Sequence, residues 1–151
     1  MIHVALWEPE IPPNTGNVAR LCAATGAVLH LIGRLGFHID DRSVRRAGLD
    51  YWEHVEIRRH LTLTDFEAAL GGARLWCFSA RASIPYTQAT YEDGDCLLFG
   101  SETRGLPQTL LDRYPRQTLL IPMPGGKVRS LNLATAVGIA LYEALRQISS
   151  W

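Results

Sequence analysis

Lysine is nearly missing from this chain. Lys127 is the single lysine among 15 basic residues, and arginine supplies the rest. Arginine is the better partner for phosphates and for stacking on bases, although genome composition can produce the same bias. Net charge is missing as well, because 15 acidic residues balance the 15 basic ones. That excludes a broadly basic coat for nucleic acid but leaves room for a local patch. Cysteine is scarce: Cys22, Cys77 and Cys96 are an odd number, far apart, with no CxxC. No disulfide framework is expected, and three buried thiols point to a reducing compartment. His3, His30, His38, His54 and His60 show no metal-ligand spacing with those cysteines, so no metal is expected. Glu8 and Glu10 interrupt any N-terminal apolar run, and no run is long enough to span a bilayer. A cytoplasmic location without a membrane partner is the expectation. No GxGxxG follows the first apolar run, and "GGK" at 125–127 lacks the Ser or Thr of a P-loop.

What is present is a core. Of 151 residues, 47% are hydrophobic, enough for one domain over 1–151. Apolar runs predict strands at 2–7, 28–32, 54–58, 74–79, 95–99 and 118–121. Helical spacing predicts helices near 16–25, 42–47, 64–70, 107–113 and 131–148. Strands alternate with helices, and "VLHLI", "LWCFSA", "CLLFG" and "TLLIP" are apolar on both faces. The expected fold class is α/β, a mostly parallel sheet with helices on both faces. Ligands of such sheets sit at the carboxyl ends of the strands. The loops there are "EPEIPPNTGN", "SARASIPY", "GSETRGLP" and "PMPGGKVRS".

Three stretches carry candidate chemistry. In "EIPPNTGNVARLCAATGA" the prolines are expected to hold a stiff turn, with Asn14 or Thr15 capping the helix that follows. Arg20 falls off the apolar face of that helix, either as a solvated residue or as part of an anion site. In "CLLFGSETRGLP" a buried strand ends at Gly100 and a tight polar loop carries Glu102 and Arg104. They form either a surface pair or part of a site. In "LLIPMPGGKVRSLNLATAVGIALYEALRQI" Ser130 or Asn132 is expected to cap a long helix. That helix is apolar or small on two sides: its second face carries Thr135, Gly138, Ile139 and Tyr142. It is either the central helix of a monomer or a subunit interface. Basic residues cluster at Arg42, Arg45 and Arg46, and again at Arg58 and Arg59. Each cluster is either a solvated face or a phosphate-tracking strip.

In register, "NTGNVARLCAATG", "FGSETRGLP" and "IPMPGGKVRSLNLATAVGIALYEALRQ" resemble the three motifs of the trefoil-knotted SPOUT methyltransferases. The short chain, "EPEIPPNTGN" and "RRAGLDYW" are most similar to the small tRNA 2′-O-methyltransferases. That family modifies the wobble nucleotide (cytidine or uridine 34) of leucine tRNAs. The resemblance implies a deep C-terminal trefoil knot and S-adenosylmethionine held near Phe78, Gly100, Ile121, Met123, Ser130 and Leu131. It implies a homodimer with the last helix in the interface and a site shared between subunits. Arg20, Asn14, Glu102 and Tyr142 are the implied catalytic set, with Ser130 and Asn132 helping to shape the site. Arg42, Arg45 and Arg46 are the candidate contacts to tRNA at its anticodon loop. Ala134-Thr135 stands where the family commonly has Ser-Asn after "SLNL". Two alternatives stay open: a knotted enzyme acting on another tRNA or rRNA position, and a non-catalytic RNA- or nucleotide-binding module.

Overall fold

A computed structural model of the chain describes residues 1–38, 42, 46 and 52–151. Seven strands form one sheet: β1 (His3–Trp7), β2 (Val28–Ile32), β3 (Ile57–His60), β4 (Leu75–Phe78), β5 (Ile84–Pro85), β6 (Cys96–Phe99) and β7 (Thr118–Leu120). Their order is β3-β2-β1-β6-β4-β7-β5, and every pairing is parallel. Besides the helical residues Arg42 and Arg46, the helices described in full are α1 (Pro12–Thr25), α2 (Leu63–Leu70), α3 (Gln108–Arg113) and α4 (Leu133–Ile148).

Alternation within buried strands explains the two layers. Val4 and Leu6 of β1, and Leu97 and Phe99 of β6, pack with Val18 and Cys22 of α1 and Val137 and Leu141 of α4. Ala5, Leu98 and Cys77 face the other way, onto Phe66 of α2 and Leu110 and Leu111 of α3. β2, β4 and β6, and the middle of β1, thus bury both faces, which is why they read as continuous apolar runs and not as alternating ones. The three cysteines are free and buried. Burial pushes the Cys22 and Cys77 thiols up to about 12, so they behave as small apolar residues.

Several local expectations change. Pro12 and Pro13 belong to the first turn of α1 and not to an extended turn before it; the N-cap is Ile11, with no side-chain cap. Proline suits that position because its missing N–H has no partner in a first turn. Asn14 and Thr15 therefore lie inside the helix and do not cap it. The strand expected at 54–58 is a short 3₁₀ turn at Trp52–His54 followed by β3. β5 has only two residues, too few for a periodicity to register. Asn132 caps α4 as expected: its side chain accepts from Thr135 N at 3.2 Å, worth about 1 kcal/mol. Gly138 is half-buried beside α1, where a Cβ would lie 3.8 Å from Leu21 Cδ2. Among the described residues no helix is long and apolar enough to cross a membrane.

Candidate active site

Because all strands run the same way, β1, β4, β6 and β7 deliver their following loops to one edge of the sheet. There they enclose a cavity of about 380 Å³. Phe78 and Phe99 end neighbouring strands, and their rings stack with centroids 4.6 Å apart. Leu120, Ile121, Met123 and Leu133 extend this apolar wall, while Ser79, Ser101, Ser130 and Asn132 interrupt it with polar groups. Ser101 is the buried member of that set, and its hydroxyl makes no hydrogen bond among the described residues.

The β6–α3 loop turns sharply to make room. Ser101 and Gly105 pair across it, Gly105 N donating to Ser101 O at 2.9 Å. Gly105 adopts φ +65°, a conformation glycine takes without strain. Gly100 is needed for a different reason: a Cβ there would sit 2.1 Å from Gly105 C and 2.3 Å from Leu106 N.

One carboxylate ties the loops together. Glu102 accepts from Glu10 N and Ile11 N, each at 2.8 Å, and from Asn14 Nδ2 at 3.2 Å. Asn132 Nδ2 then donates to Asn14 Oδ1 at 2.9 Å, while Asn132 Oδ1 caps α4. A single chain of hydrogen bonds therefore runs from the β6 loop, through the start of α1, to the start of α4. As acceptor, the Glu102 carboxylate satisfies the N–H groups of Glu10 and of the N-cap Ile11, which the helix itself leaves without a partner. The clasp is reciprocal: Glu10 accepts from Thr103 Oγ1 at 2.6 Å and Thr103 N at 3.0 Å. Those bonds hold the Glu10 carboxyl below the usual carboxylate range. Arg104 adds an ion pair to Glu8 at 3.1 Å and lies over the Trp7 ring.

The residues named from the motifs separate into groups. Phe78, Gly100, Ile121, Met123, Ser130 and Leu131 all line the one cavity, as do Asn14 and Glu102. Arg20 lies on the exposed face of α1, outside the cavity lining. Tyr142 is 45% exposed, also outside the lining, with its ring 6.1 Å from that of Trp151. Arg42 and Arg46 are helical and exposed; Arg45, with Asp40 and Asp41, lies outside the described residues. Arg58 and Arg59 are exposed on β3, where Arg58 pairs with Glu56. No group of three or more metal-binding side chains occurs among the described residues. Sequence reasoning missed Glu8, Glu10 and Thr103. The signal was a repeated Glu-x-Glu in "WEPEI" opposite "SETR", but nothing local shows that the two loops meet.

Comparison with known proteins agrees with this geometry. A tRNA (cytidine(34)-2′-O)-methyltransferase of Escherichia coli (strain K12) is 47% identical over 98% of this chain and 94% of its own length. One of Burkholderia pseudomallei is 51% identical, covering 97% of this chain and 96% of that one. A solved structure described as giving structural insights into the 2-OH methylation of C/U34 on tRNA superposes with a TM-score of 0.93. It is 55% identical and matches 97% of this chain and 95% of the other. An AdoMet-bound rRNA methyltransferase from Sinorhizobium meliloti shares the fold at a TM-score of 0.87 and 30% identity, over 99% of this chain and 57% of its own. The model of the SpoU rRNA Methylase family matches residues 1–142, and the chain belongs to that family.

Proposed function

We propose that this protein methylates the 2′-hydroxyl of the wobble nucleotide, cytidine or uridine 34, of tRNA, with S-adenosylmethionine as methyl donor. The observation that carries the reading is the convergence of the β4, β6 and β7 loops with the first turns of α1 and α4 around one cavity. The full-length similarity to tRNA (cytidine(34)-2′-O)-methyltransferases supports the choice of nucleotide. The cavity suits the donor. Stacked Phe78 and Phe99 and the Leu120–Met123 wall accept an apolar, aromatic body, and the unpaired Ser101 hydroxyl with Ser130 and Asn132 offers polar partners.

The donor supplies an already activated methyl group on a sulfonium. The chain's own residues have to place the ribose oxygen in line with it and assist loss of the hydroxyl proton. Asn14 and Glu102 fix the start of α1 at the cavity rim, so the nucleotide meets a preorganised surface. A guanidinium holds its proton in proteins. The role assigned to Arg20 is therefore to orient the target phosphate and ribose and to stabilise charge developing on the oxygen. Single-stranded anticodon bases need no duplex opening, and the 2′-hydroxyl itself marks the substrate as RNA.

The same reading includes a knotted crossing of the C-terminal segment, a cytoplasmic setting compatible with three free thiols, and a homodimer. In support of the dimer, α4 leaves Ile139 half-buried and Tyr142 exposed, beside Trp151 at 69% exposure. A monomer leaves that face uncovered, and Tyr142 would reach a site only across such an interface. Light scattering should show a dimer at micromolar concentration, and Ile139→Glu should convert it to monomer. A wild-type monomer would remove the shared site.

The deciding experiment combines labelled S-adenosylmethionine with total tRNA and maps the methylated nucleotide. Label at position 34 is expected, and leucine tRNAs should be the acceptors. Label elsewhere would keep the chemistry and move the target. Arg20→Ala should abolish transfer while calorimetry shows S-adenosylhomocysteine binding nearly intact; a large loss of that affinity would take Arg20 out of the nucleotide site.

A further inference from the structure

We infer that the loop 124–129, through Lys127 and Arg129, is a contact to the RNA backbone at the mouth of the cavity. The inference rests on the proposed RNA substrate and concerns residues outside the motif positions already assigned. Both ends of this loop are cavity wall: Met123 precedes it, and Ser130 and Leu131 follow it. Met123 O accepts from Gly126 N at 3.1 Å, which turns the chain outward. Every residue from Pro124 to Ser130 is exposed, including Val128 at 62%. Arg129 is bonded directly to a cavity residue, with about 3.8 Å between their Cα atoms. Lys127 is two residues further out on the same exposed loop.

Charge strengthens the assignment. Between Arg113 and Tyr142 the chain has no acidic residue. Neither Lys127 nor Arg129 makes a hydrogen bond or ion pair with another described residue. The carboxylates on this edge of the sheet are engaged elsewhere: Glu8 by Arg104 and Arg34 N, Glu10 by Thr103, and Glu102 by Glu10, Ile11 and Asn14. Two uncommitted cations on a glycine-containing loop, rising from the wall that would hold the methyl donor, suit the phosphates beside the nucleotide being modified. Gly125 and Gly126 have nothing within 4 Å of where a Cβ would stand, so the loop has space to settle on a partner. An otherwise neutral protein thereby concentrates positive charge where the RNA must enter.

The single lysine makes the test direct. An amine-reactive reagent can modify only Lys127 and the terminal amine of Met1, and Met1 pairs with Asp93 at the opposite edge of the sheet. Labelling is read by peptide mass for the protein alone, with tRNA, and with S-adenosylhomocysteine. Protection of Lys127 by tRNA, with Met1 unchanged and no protection by S-adenosylhomocysteine, is the expected result. Lys127→Ala combined with Arg129→Ala should weaken tRNA binding and lower the log–log salt slope by about 0.7 per lost contact. Affinity for S-adenosylhomocysteine should stay unchanged, and Lys127→Arg as a single change should keep the wild-type slope. Absence of protection by tRNA, or an unchanged slope, overturns the inference. So does protection by S-adenosylhomocysteine alone, because the cations would then serve the carboxylate of the donor. The two readings fail separately: methylated tRNA without Lys127 protection sinks the loop assignment, whereas protected Lys127 without methyl transfer sinks the activity.

Discussion

β6 carries a carboxylate at each end, and the two are used differently. Asp95, just before the strand, is 3% exposed and accepts from Arg74 Nη2 at 2.9 Å, Trp76 Nε1 at 2.8 Å and Glu92 N at 2.9 Å. Glu102, just after it, accepts from two backbone N–H groups and an amide side chain, and among the described residues it has no ion pair. Asp95 has its charge matched by Arg74 and closes off the end of the sheet. The donors of Glu102 are all neutral, so its charge stays at the rim of a cavity. The first arrangement resists unfolding; the second spends its hydrogen bonds on fixing where three loops meet. One strand thus carries a charge-paired carboxylate at one end and, at the other, a carboxylate beside the cavity, the end of a parallel sheet where ligands bind; we call the two its stabilising and its working end.

The largest effect should come from the working end. In Gly100→Ala the new Cβ would collide with the Gly105–Leu106 backbone, and neither backbone segment can yield as a flexible side chain would. Both methyl transfer and S-adenosylhomocysteine binding should be lost, with the circular dichroism of the sheet and helices retained. A variant that still binds S-adenosylhomocysteine normally would show that the loop turn does not shape the cavity.

The contrast itself is sharpened by Glu102→Ala against Asp95→Ala. Glu102→Ala should cut turnover roughly 100-fold or more, because loss of the clasp lets the start of α1 drift relative to α4. Asp95→Ala should lower unfolding stability by about 2–3 kcal/mol, discounted because Arg74 is partly exposed, and should leave turnover per folded molecule near wild type. Urea melts alongside initial rates read both effects. Equal rate losses in the two variants would erase the distinction between the ends.

The sequence made the layers legible because burial on both faces leaves a strong mark. "VLHLI" and "CLLFG" have nowhere to sit except inside a covered sheet. The cavity was legible for a related reason, since strand ends in a parallel sheet share one edge. The start of α1 was misjudged because Asn14 is a good capping residue in isolation. Its partners, Glu102 and Asn132, are 88 and 118 residues away, and only the fold brings them together. The Glu10–Thr103 bond was out of reach for the same reason, with 93 residues between the partners. Five histidines without metal spacing gave no hint that three of them touch.

That contact provides the smallest predicted effect and extends the comparison to the interior of the sheet. His3, His30 and His60 sit on adjacent strands in one row. His3 Nδ1 and His30 Nε2 are 2.9 Å apart, and His30 Nδ1 and His60 Nε2 are 2.8 Å apart. Phe66 of α2 meets His30 and His60 edge-on. Each N···N contact holds one proton, so the row can take one extra proton before two N–H groups face each other. Burial pushes His30 down from 6.5 to about 3, helped by its two imidazole neighbours and Arg58. Burial lowers His3 and His60 too; Arg58 lowers both and the N-terminus adds to this at His3, while Glu56 opposes at His3 and Asp65 at His60. In the unfolded chain these imidazoles bind protons below their ordinary value of 6.5, whereas the native row resists them. The unfolded state then holds more protons, so stability rises with pH. It is fully present above about 6.5 and falls as pH drops from there toward the native values. The slope should be about 1.4 kcal/mol per pH unit for each excess proton. Urea midpoints between pH 7.5 and 5 should show that decline, and His30→Leu should flatten part of it. A wild-type midpoint that does not change over this range would mean that the row charges as readily in the fold as in water, and that the interior of the sheet, like its working end, carries charge.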